Sequence, residues 1–286
     1  MKTPGNPVGT FSVAVHGAMG RMGTRLIQLI AEDPALRLAA ALERAGHPRI
    51  GADAGALVGI APLGVALTQA VPPEAGVDVL IDFSIPEATL EVAGWCRDQG
   101  VGLVVGTTGF NPVQRAALES AADRIPLLVA PNMSRAVNLL MGLVGQAARV
   151  LGESADIEII ERHHRTKKDA PSGTALRLAE IAGRGVAASR LISSHPANPE
   201  VRPEGAIGIH ALRIADSPGE HTVVFGLLGE NLELSHRALN RDGFARGALE
   251  AAKFLAGKPA GQYTMEDVLA GGGPAAPGPR PGSAAK

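Results

Sequence analysis

Residues 161–174 hold the densest group of chemically active side chains in the chain. They read Glu-Arg-His-His-Arg-Thr-Lys-Lys-Asp-Ala-Pro-Ser-Gly-Thr, with two histidines and four basic side chains within seven residues. The whole chain has a formal net charge of −1, so this positive charge is local. A solvated basic loop would explain the charge by itself, but the residues that follow point to an anion-binding site.

A predicted helix at 175–184 begins directly after this segment. Ser172 can cap that helix, and the backbone N–H groups at its positive end, around Gly173 and Thr174, suit an anion. Cations together with a helix N-terminus favour a substrate with two carboxylates, each held by its own set of donors.

The same segment contains candidates for proton transfer. Adding hydride to a conjugated imine leaves negative charge on the substrate, which must then receive a proton. His163 could give or take that proton at neutral pH, and Lys167 could donate it and stabilise the developing charge. Paired histidines also bind metals, but the flanking cations disfavour a dication, and no metal is predicted. His210, His221 and His236 are interpreted as structural, although His221 could orient part of the site.

A glycine-rich loop, Gly17-Ala18-Met19-Gly20-Arg21-Met22-Gly23, joins the first predicted strand (11–16) to the first predicted helix (21–31). Glycines let such a loop approach a pyrophosphate at a helix N-terminus, although a plain tight turn would also use them. Glu43 lies twenty residues past Gly23 at the end of the second strand, where a carboxylate can accept hydrogen bonds from ribose hydroxyls. The adjacent Arg44 can stack on adenine or bind a 2′-phosphate. The pattern predicts a dinucleotide, and NADH and NADPH both stay open.

Two further polar segments follow predicted strands. They are Asp82-Phe83-Ser84 after strand 77–82 and Gly106-Thr107-Thr108-Gly109 after strand 102–105. Ligands of parallel sheets bind outside the carboxyl ends of the strands, so position favours a cofactor role over ordinary turn chemistry.

The elements that position these residues predict an α/β protein with two domains. Strands at 11–16, 36–42, 77–82, 102–105 and 126–130 alternate with helices at 21–31, 87–99 and 112–123, as in a Rossmann-type, doubly wound parallel sheet. The later elements predict a second, α+β domain with an open, largely antiparallel or mixed sheet. They are helices at 137–151 and 175–184 and strands at 157–161, 206–213, 220–227 and 230–237. A helix predicted at 243–255 returns to the first domain.

Composition narrows the class of protein. The chain has 45% hydrophobic and 19% charged residues, no block of like charges and no apolar run of the ~20 residues that a membrane span needs. Neither nucleic-acid nor membrane binding is predicted. The single cysteine, Cys96, fits a reducing cytoplasm, and the first ten residues do not resemble a signal peptide.

Two motifs together, Gly-x-x-Gly-Arg-Met-Gly and His-His-x-x-Lys-x-Asp-Ala-Pro-Ser-Gly-Thr, resemble the signature pair of the 4-hydroxy-tetrahydrodipicolinate reductase family of bacterial lysine biosynthesis. Supporting stretches are Ala41-Leu42-Glu43-Arg44, Ile81-Asp82-Phe83, Gly106-Thr107-Thr108-Gly109-Phe110, Ala130-Pro131-Asn132-Met133-Ser134 and Gly219-Glu220-His221-Thr222. The resemblance extends over residues 11–270. It implies NADH- or NADPH-dependent reduction of 4-hydroxy-tetrahydrodipicolinate to tetrahydrodipicolinate in diaminopimelate and lysine biosynthesis.

The resemblance also implies roles for individual residues. His163 is then the proton donor or acceptor and Lys167 a proton donor, while His164, Gly173 and Thr174 hold substrate carboxylates. The implied cofactor contacts are Gly17, Ala18, Met19, Gly20, Arg21, Met22, Glu43, Arg44, Gly106, Thr107, Thr108, Ala130, Pro131, Asn132 and Met133.

The predicted dinucleotide-binding domain spans 1–131 and is completed by 239–270. The substrate-binding and oligomerisation domain spans 132–238, and similar enzymes form homotetramers through its sheet. The tail at 271–286 is predicted to be disordered. Arg135-Ala136 departs from the Val-Gly pair expected there, which leaves domain closure and cofactor preference open.

Two other functions are compatible with parts of the pattern. One is a Rossmann dehydrogenase for an amino acid or a semialdehyde, against which the dense cationic loop argues. The other is a cofactor-sensing regulatory protein, which would keep the glycine loop but need no proton donor.

Overall fold

The computed structural model describes residues 10–186, 190–192 and 202–271. The strands are β1 (Phe11–His16), β2 (Leu36–Leu42), β3 (Leu67–Thr68), β4 (Val79–Asp82), β5 (Gly102–Val105), β6 (Pro126–Val129), β7 (Asp156–His163), β8 (Arg190–Ile192), β9 (Ala206–Arg213), β10 (Glu220–Leu227), β11 (Glu230–Arg237) and β12 (Gly261–Tyr263). The helices are α1 (Arg21–Glu32), α2 (Ala54–Leu57), α3 (Pro86–Gln99), α4 (Pro112–Glu119), α5 (Arg135–Leu151), α6 (Gly173–Gly183), α7 (Asp242–Leu255) and α8 (Met265–Ala270).

The chain forms two compact units. The first combines Met1–Ser134 with Phe244–Lys286, and the second is Arg135–Gly243. The predicted tail lies outside the described residues except for Gly271, which ends α8 with a φ of +65°. No helix in the described part of the chain is both long and apolar enough to cross a membrane.

The first unit is built on a parallel sheet with the strand order β12-β6-β5-β4-β1-β2-β3. The chain runs outward in one direction from β1 through β2 and in the other from β4 onward, so a crevice opens between the ends of β1 and β4. Successive strand residues face opposite layers of the core: Val13 packs in the cluster with α1 and α7, and Ala14 in the cluster with α3 and α4. The predicted doubly wound sheet is confirmed.

Several elements of the first unit differ from the prediction. β4 begins at Val79 rather than at 77, and the helix predicted at 112–123 changes to a 3₁₀-helix over Ser120–Asp123. The short elements α2, β3, β12 and α8 were not predicted. β12 is only three residues long and is defined by its pairing with β6, a long-range contact that leaves no periodic pattern.

The second unit is a mixed sheet with the order β11-β10-β7-β9-β8. β10 pairs antiparallel with β7 and β11, whereas β9 pairs parallel with β7 and β8. The parallel pairing of β7 with β9 is possible because the chain crosses over through α6 before it enters the sheet again. Buried residues alternate along β7, and Ile157, Ile159, Glu161 and His163 therefore share the buried face. This alternation places a carboxylate and an imidazole at one end of an otherwise apolar core.

Candidate active site

Two positions in the glycine loop after β1 exclude any side chain. Gly17 has a φ of +75°, and a Cβ at this position would collide with the carbonyl oxygen of Phe83. A Cβ at Gly23 would collide with the backbone of Gly17 and Ala18. The N–H groups of Gly17 and Ala18 donate to the Leu42 carbonyl at 3.0 and 2.9 Å, which fixes the loop at the end of β2.

Glu43 lies against this loop, as the sequence spacing predicts. One of its carboxylate oxygens accepts a hydrogen bond from the Met19 N–H at 3.1 Å, and the other accepts one from the Arg44 N–H at 3.0 Å. The Arg44 side chain is exposed. Met19 and Met22 are partly buried and pack against the core, so packing accounts for at least part of their presence.

A buried carboxylate, Asp82, organises the ends of β4 and β5. It accepts hydrogen bonds from the hydroxyls of Ser84, Thr89 and Thr107 at 2.6–2.7 Å and contacts His16 Nδ1 at 2.7 Å. The Thr107 oxygen in turn accepts the Ser84 N–H at 2.9 Å. Asp82 is therefore fully occupied in holding the two loops, which is a positioning role rather than a ligand-binding one.

The remaining predicted cofactor residues lie at the same edge of the first sheet. A Cβ at Gly106 would collide with the Phe83 ring, so the loop after β5 must pass close to the loop after β4. After β6, Ala130 and Met133 are buried, and the Asn132 side chain accepts the Ser134 N–H at 2.9 Å. The carboxyl ends of the parallel strands thus gather the residues that the sequence motifs single out, including Pro131 and Thr108, which are exposed.

A cavity of about 190 Å³ opens beside the same strand ends. It is lined by His16, Leu42, Gln69, Val71, Val92 and Trp95, among others. Its walls are mainly apolar and include one flat indole ring. No sequence motif marks this cavity, because its walls come from four separate stretches of the chain.

At the end of β7 in the second unit, three polar groups meet on one buried carboxylate. Glu161 has no exposed side-chain surface, and its Oε2 contacts Nδ1 of His163, which is 8% exposed. Its Oε1 accepts hydrogen bonds from Arg213 Nη1 at 3.0 Å and from the Ser172 N–H at 3.2 Å. Strands β7 and β9 and the start of α6 are joined at this point.

Burial favours the uncharged form of the two histidines near Glu161, His163 and His221. Burial lowers the pKa of His163 below its usual 6.5, and Lys167 and Arg213 lower it further, while the Glu161 carboxylate raises it. The His221 ring meets the His163 ring edge-on with 5.2 Å between centroids. Burial lowers the pKa of His221 to about 3, so this ring also carries no charge.

The cationic loop after β7 is ordered by its own side chains. Lys167 Nζ donates to both carboxylate oxygens of Asp169 at 2.8 Å, and this hydrogen bond lowers the pKa of Asp169. His164 Nδ1 contacts the Thr166 hydroxyl at 2.8 Å. Arg213 Nη2 donates to the Asp169 carbonyl, so the residue that binds Glu161 also holds the far side of the loop. The ammonium group of Lys167 is thereby kept near His163.

Ser172 caps helix α6, as predicted, by accepting the Ala175 N–H at 3.2 Å. Its hydroxyl also contacts His221 Nε2 at 3.2 Å. Gly173 and Thr174 are the first two residues of the helix and lie at its positive end. The start of α6 is therefore attached to the same cluster as His163, which brings the predicted anion seat and the predicted proton-transfer residues together.

Sequence reasoning missed Glu161 and Arg213 and treated His221 as mainly structural. Glu161 could have been found, since it lies two residues before His163 on a strand and must share its face. Arg213 could not have been found from the sequence, because it lies 52 residues after Glu161 along the chain. It reaches Glu161 only through the pairing of β7 with β9.

Comparison with known proteins gives consistent results. A family model described as dihydrodipicolinate reductase, N-terminus, matches residues 11–133, and the corresponding C-terminus model matches residues 136–269. A 4-hydroxy-tetrahydrodipicolinate reductase of Anaeromyxobacter sp. (strain Fw109-5) is 51% identical over 263 residues, covering 90% of this chain and 97% of the relative. A 4-hydroxy-tetrahydrodipicolinate reductase of Alkalilimnicola ehrlichii is 48% identical over 265 residues, covering 91% of this chain and 99% of the relative.

Solved structures agree with the family match. A dipicolinate-bound dihydrodipicolinate reductase from Paenisporosarcina sp. TG-14 matches with a TM-score of 0.71 and 25% identity, covering 89% of this chain and 97% of that chain. An amine dehydrogenase from Mycobacterium smegmatis shares the fold, with a TM-score of 0.63 and 14% identity over 90% of this chain and 95% of that one. From the two family models and the close relatives that span nine-tenths of its length, this chain belongs to the dihydrodipicolinate reductase family.

Proposed function

We propose that this chain reduces 4-hydroxy-tetrahydrodipicolinate to tetrahydrodipicolinate with NADH or NADPH, the activity for which its relatives are named. The observation that carries the proposal is the cluster at the end of β7. There a neutral histidine, a lysine and a helix N-terminus come together in a chain of this family. Proton transfer next to an anion seat is what reduction of a carboxylated imine requires.

The geometry around His163 supports different roles for the two candidate proton-transfer residues. Nδ1 of His163 faces the Glu161 carboxylate and must carry its hydrogen, which leaves Nε2 as an acceptor. The reaction also releases the 4-hydroxyl as water. We assign Nε2 of His163 as the acceptor of the ring proton removed in that elimination, which it passes to the leaving hydroxide to form water. Lys167, whose ammonium lies in a loop held by Asp169, is assigned as the donor of the proton taken up after hydride addition. The lysine proton neutralises the charge that hydride addition leaves on the substrate.

Substrate anchoring is proposed at His164, Gly173 and Thr174. The helix N-terminus at Gly173 and Thr174 attracts one carboxylate, and the cationic loop attracts the other. A relative of the same fold binds dipicolinate, a planar ring with two carboxylates, and this supports a substrate of that shape.

The reduced nicotinamide would supply the hydride, and the carboxyl edge of the first sheet would hold it. The predicted contacts are residues 17–22, Glu43, Arg44, residues 106–108 and residues 130–133, and their gathering at one sheet edge supports the proposal. The mainly apolar cavity beside Trp95 has the flat, apolar walls that suit an adenine ring.

Turnover with purified protein tests the function. The chain should oxidise one equivalent of NADH or NADPH for each 4-hydroxy-tetrahydrodipicolinate consumed. A cofactor-sensing protein would bind the dinucleotide without turnover, and a dehydrogenase of another specificity would leave this substrate unchanged. Absence of oxidation with both cofactors would overturn the proposal.

A dicarboxylate analogue should compete with the substrate more strongly than a monocarboxylate. We expect pyridine-2,6-dicarboxylate to inhibit at least roughly tenfold more strongly than pyridine-2-carboxylate, a difference of about 1.4 kcal/mol, because only the former engages both sets of donors. Higher salt should weaken the dianion more. Inhibition constants at fixed NADH decide the matter, and equal constants would mean that the site does not recognise two carboxylates.

Glu43 should influence the choice between the two cofactors. Its carboxylate favours free ribose hydroxyls and repels a 2′-phosphate, whereas Arg44 offers that phosphate a counter-charge. We expect wild-type protein to use NADH well and NADPH tolerably, and Glu43→Ala to shift the ratio of kcat/KM values toward NADPH. Glu74→Ala serves as the control for loss of one acidic side chain in the same unit. A Glu43→Ala variant with unchanged constants for both cofactors would show that this carboxylate does not face the ribose.

We further propose a cytoplasmic homotetramer formed through the sheet of the second unit. One face of that sheet is covered by α5 and α6, and the other carries half-exposed strand residues such as Val224 and Thr222. A face of this kind suits a second copy of the sheet. Sedimentation equilibrium of the purified chain should give four times the chain mass.

A further inference from the structure

The Glu161 carboxylate offers only hydrogen-bond acceptors, and this determines the state of its neighbour. Oε1 is occupied by two donors, Arg213 Nη1 at 3.0 Å and the Ser172 N–H at 3.2 Å. Oε2 is left for Nδ1 of His163. The neutral His163 ring therefore holds its hydrogen on Nδ1 and its lone pair on Nε2.

The opposite edge of the His163 ring faces a glycine. Gly219 lies over it with a φ of +148°, and a Cβ at this position would sit 3.0 Å from Nε2. The His221 ring supports His163 edge-on from β10. Any larger residue at 219 would cover the nitrogen that carries the lone pair.

We propose that Glu161 is a positioning residue for the reduction proposed above. It holds His163 in the Nδ1–H tautomer with Nε2 directed at the substrate, and it ties that ring to Ser172 at the start of α6. This inference rests on the proposed function. Glu161 itself is fully buried and acts through His163 rather than by contact with the substrate.

Glutamine at position 161 keeps the shape of the side chain but breaks this arrangement in a defined way. Its amide oxygen must accept from Arg213 and Ser172, since the NH₂ group would otherwise face two donors. The NH₂ group is then directed at Nδ1 of His163, which becomes an acceptor, and the ring is forced into the Nε2–H tautomer. The proposed proton acceptor is lost although the fold is kept.

The pH dependence of turnover follows from the groups around His163. These are Glu161 on the same strand, Lys167 in the loop, Arg213 on β9 and the neutral His221 on β10. Turnover requires neutral His163 and falls as the pH drops through its pKa, which lies below 6.5. Glu161 is the group that raises this pKa, so its removal should move the acid limb of kcat/KM, the fall in rate at low pH, to lower pH.

Histidine tautomers are measured directly by ¹⁵N NMR of the full chain, with the His163 signal assigned by its absence in His163→Asn. We expect the Nδ1–H tautomer in the wild type and the Nε2–H tautomer in Glu161→Gln. In the same variant kcat should fall about 10- to 100-fold, which is less than the loss expected when the general base itself is removed. The inhibition constant of pyridine-2,6-dicarboxylate should change less than about threefold.

Glu158→Gln is the matched control, because Glu158 lies on the same strand and also contacts a histidine, His210 Nε2, at 2.7 Å. Its side chain belongs to the opposite face of the sheet, where the tetramer contact is proposed, so the control is compared as protein that sediments like the wild type. In that state kcat should stay unchanged. Glu161→Asp retains the charge and should recover part of kcat together with the wild-type acid limb.

The Nε2–H tautomer in the wild type, or an unchanged tautomer in Glu161→Gln, would overturn the inference even if the protein turns over normally. Lower stability of Glu161→Gln with normal kcat and an unmoved acid limb would show a purely structural role and would overturn it as well. The tautomer measurement needs no substrate. Failure of the proposed function would instead appear as lack of turnover in the wild type, whatever the tautomer.

Discussion

Replacing Lys167 with alanine should lower kcat by about 10²–10⁴-fold and leave the Kd for NADH nearly unchanged. The ammonium group is the proposed source of the proton that follows hydride transfer. It lies in the loop of the second unit, held by Asp169, whereas the predicted cofactor contacts belong to the first unit. Stopped-flow kinetics and fluorescence titration of NADH measure the two quantities separately.

Lys168→Ala is the matched control, because it removes one positive charge from the same loop at an exposed position. If loss of charge were the only effect, both variants would weaken substrate binding alike and leave kcat nearly intact. Near-normal kcat in Lys167→Ala would contradict its assignment as proton donor.

Replacing His163 should have an effect of similar size through a different step. We expect His163→Ala and His163→Asn to lower kcat by about 10²–10⁴-fold with NADH binding retained, because neither variant offers an acceptor at the position of Nε2. Asparagine keeps a donor toward Glu161 and so tests the loss of the acceptor without leaving the carboxylate unpaired. The acid limb of the pH profile should disappear with the imidazole.

The control for this pair is His210→Asn, which also removes a histidine in contact with a carboxylate, that of Glu158. His210 lies on the other face of the sheet, where the tetramer contact is proposed, and a control variant that sediments like the wild type should retain full activity. An acid limb that persists in His163→Asn would assign the titration to another group and refute the role of His163 as acceptor.

Local patterns were sufficient for the five central strands of the parallel sheet, β6, β5, β4, β1 and β2, and for the two motifs. β1 and α1 were predicted to within one residue, since a buried strand, a glycine turn and an amphipathic helix each leave a local pattern. The short elements leave no such pattern in the sequence. α2 depends on Asp53, whose carboxylate accepts backbone N–H groups as far away as Leu63 and Gly64, and no periodicity records such contacts.

The residues of the candidate site likewise fall into those that a local sequence pattern identifies and those that depend on contacts distant along the chain. His163, Lys167 and Ser172 were identified because they lie within one short segment and because a histidine, a lysine and a cap residue have known chemistry. The groups that set their state come from elsewhere: Arg213 from β9 and His221 from β10. Because Arg213 and His221 are far from His163 along the chain, no local pattern predicts that they contact it. Only the pairing of β7 with both strands brings them close to His163.

Direct transfer of hydride from cofactor to substrate is the central claim, and isotope tracing tests it most directly. Reduced cofactor that carries deuterium at its transferable position would be incubated with the chain and 4-hydroxy-tetrahydrodipicolinate in ordinary water, and the product analysed by mass spectrometry. The account predicts tetrahydrodipicolinate with one deuterium bound to carbon, formed in equal amount to the oxidised cofactor. Unlabelled product, or cofactor that stays reduced while substrate is present, would contradict it.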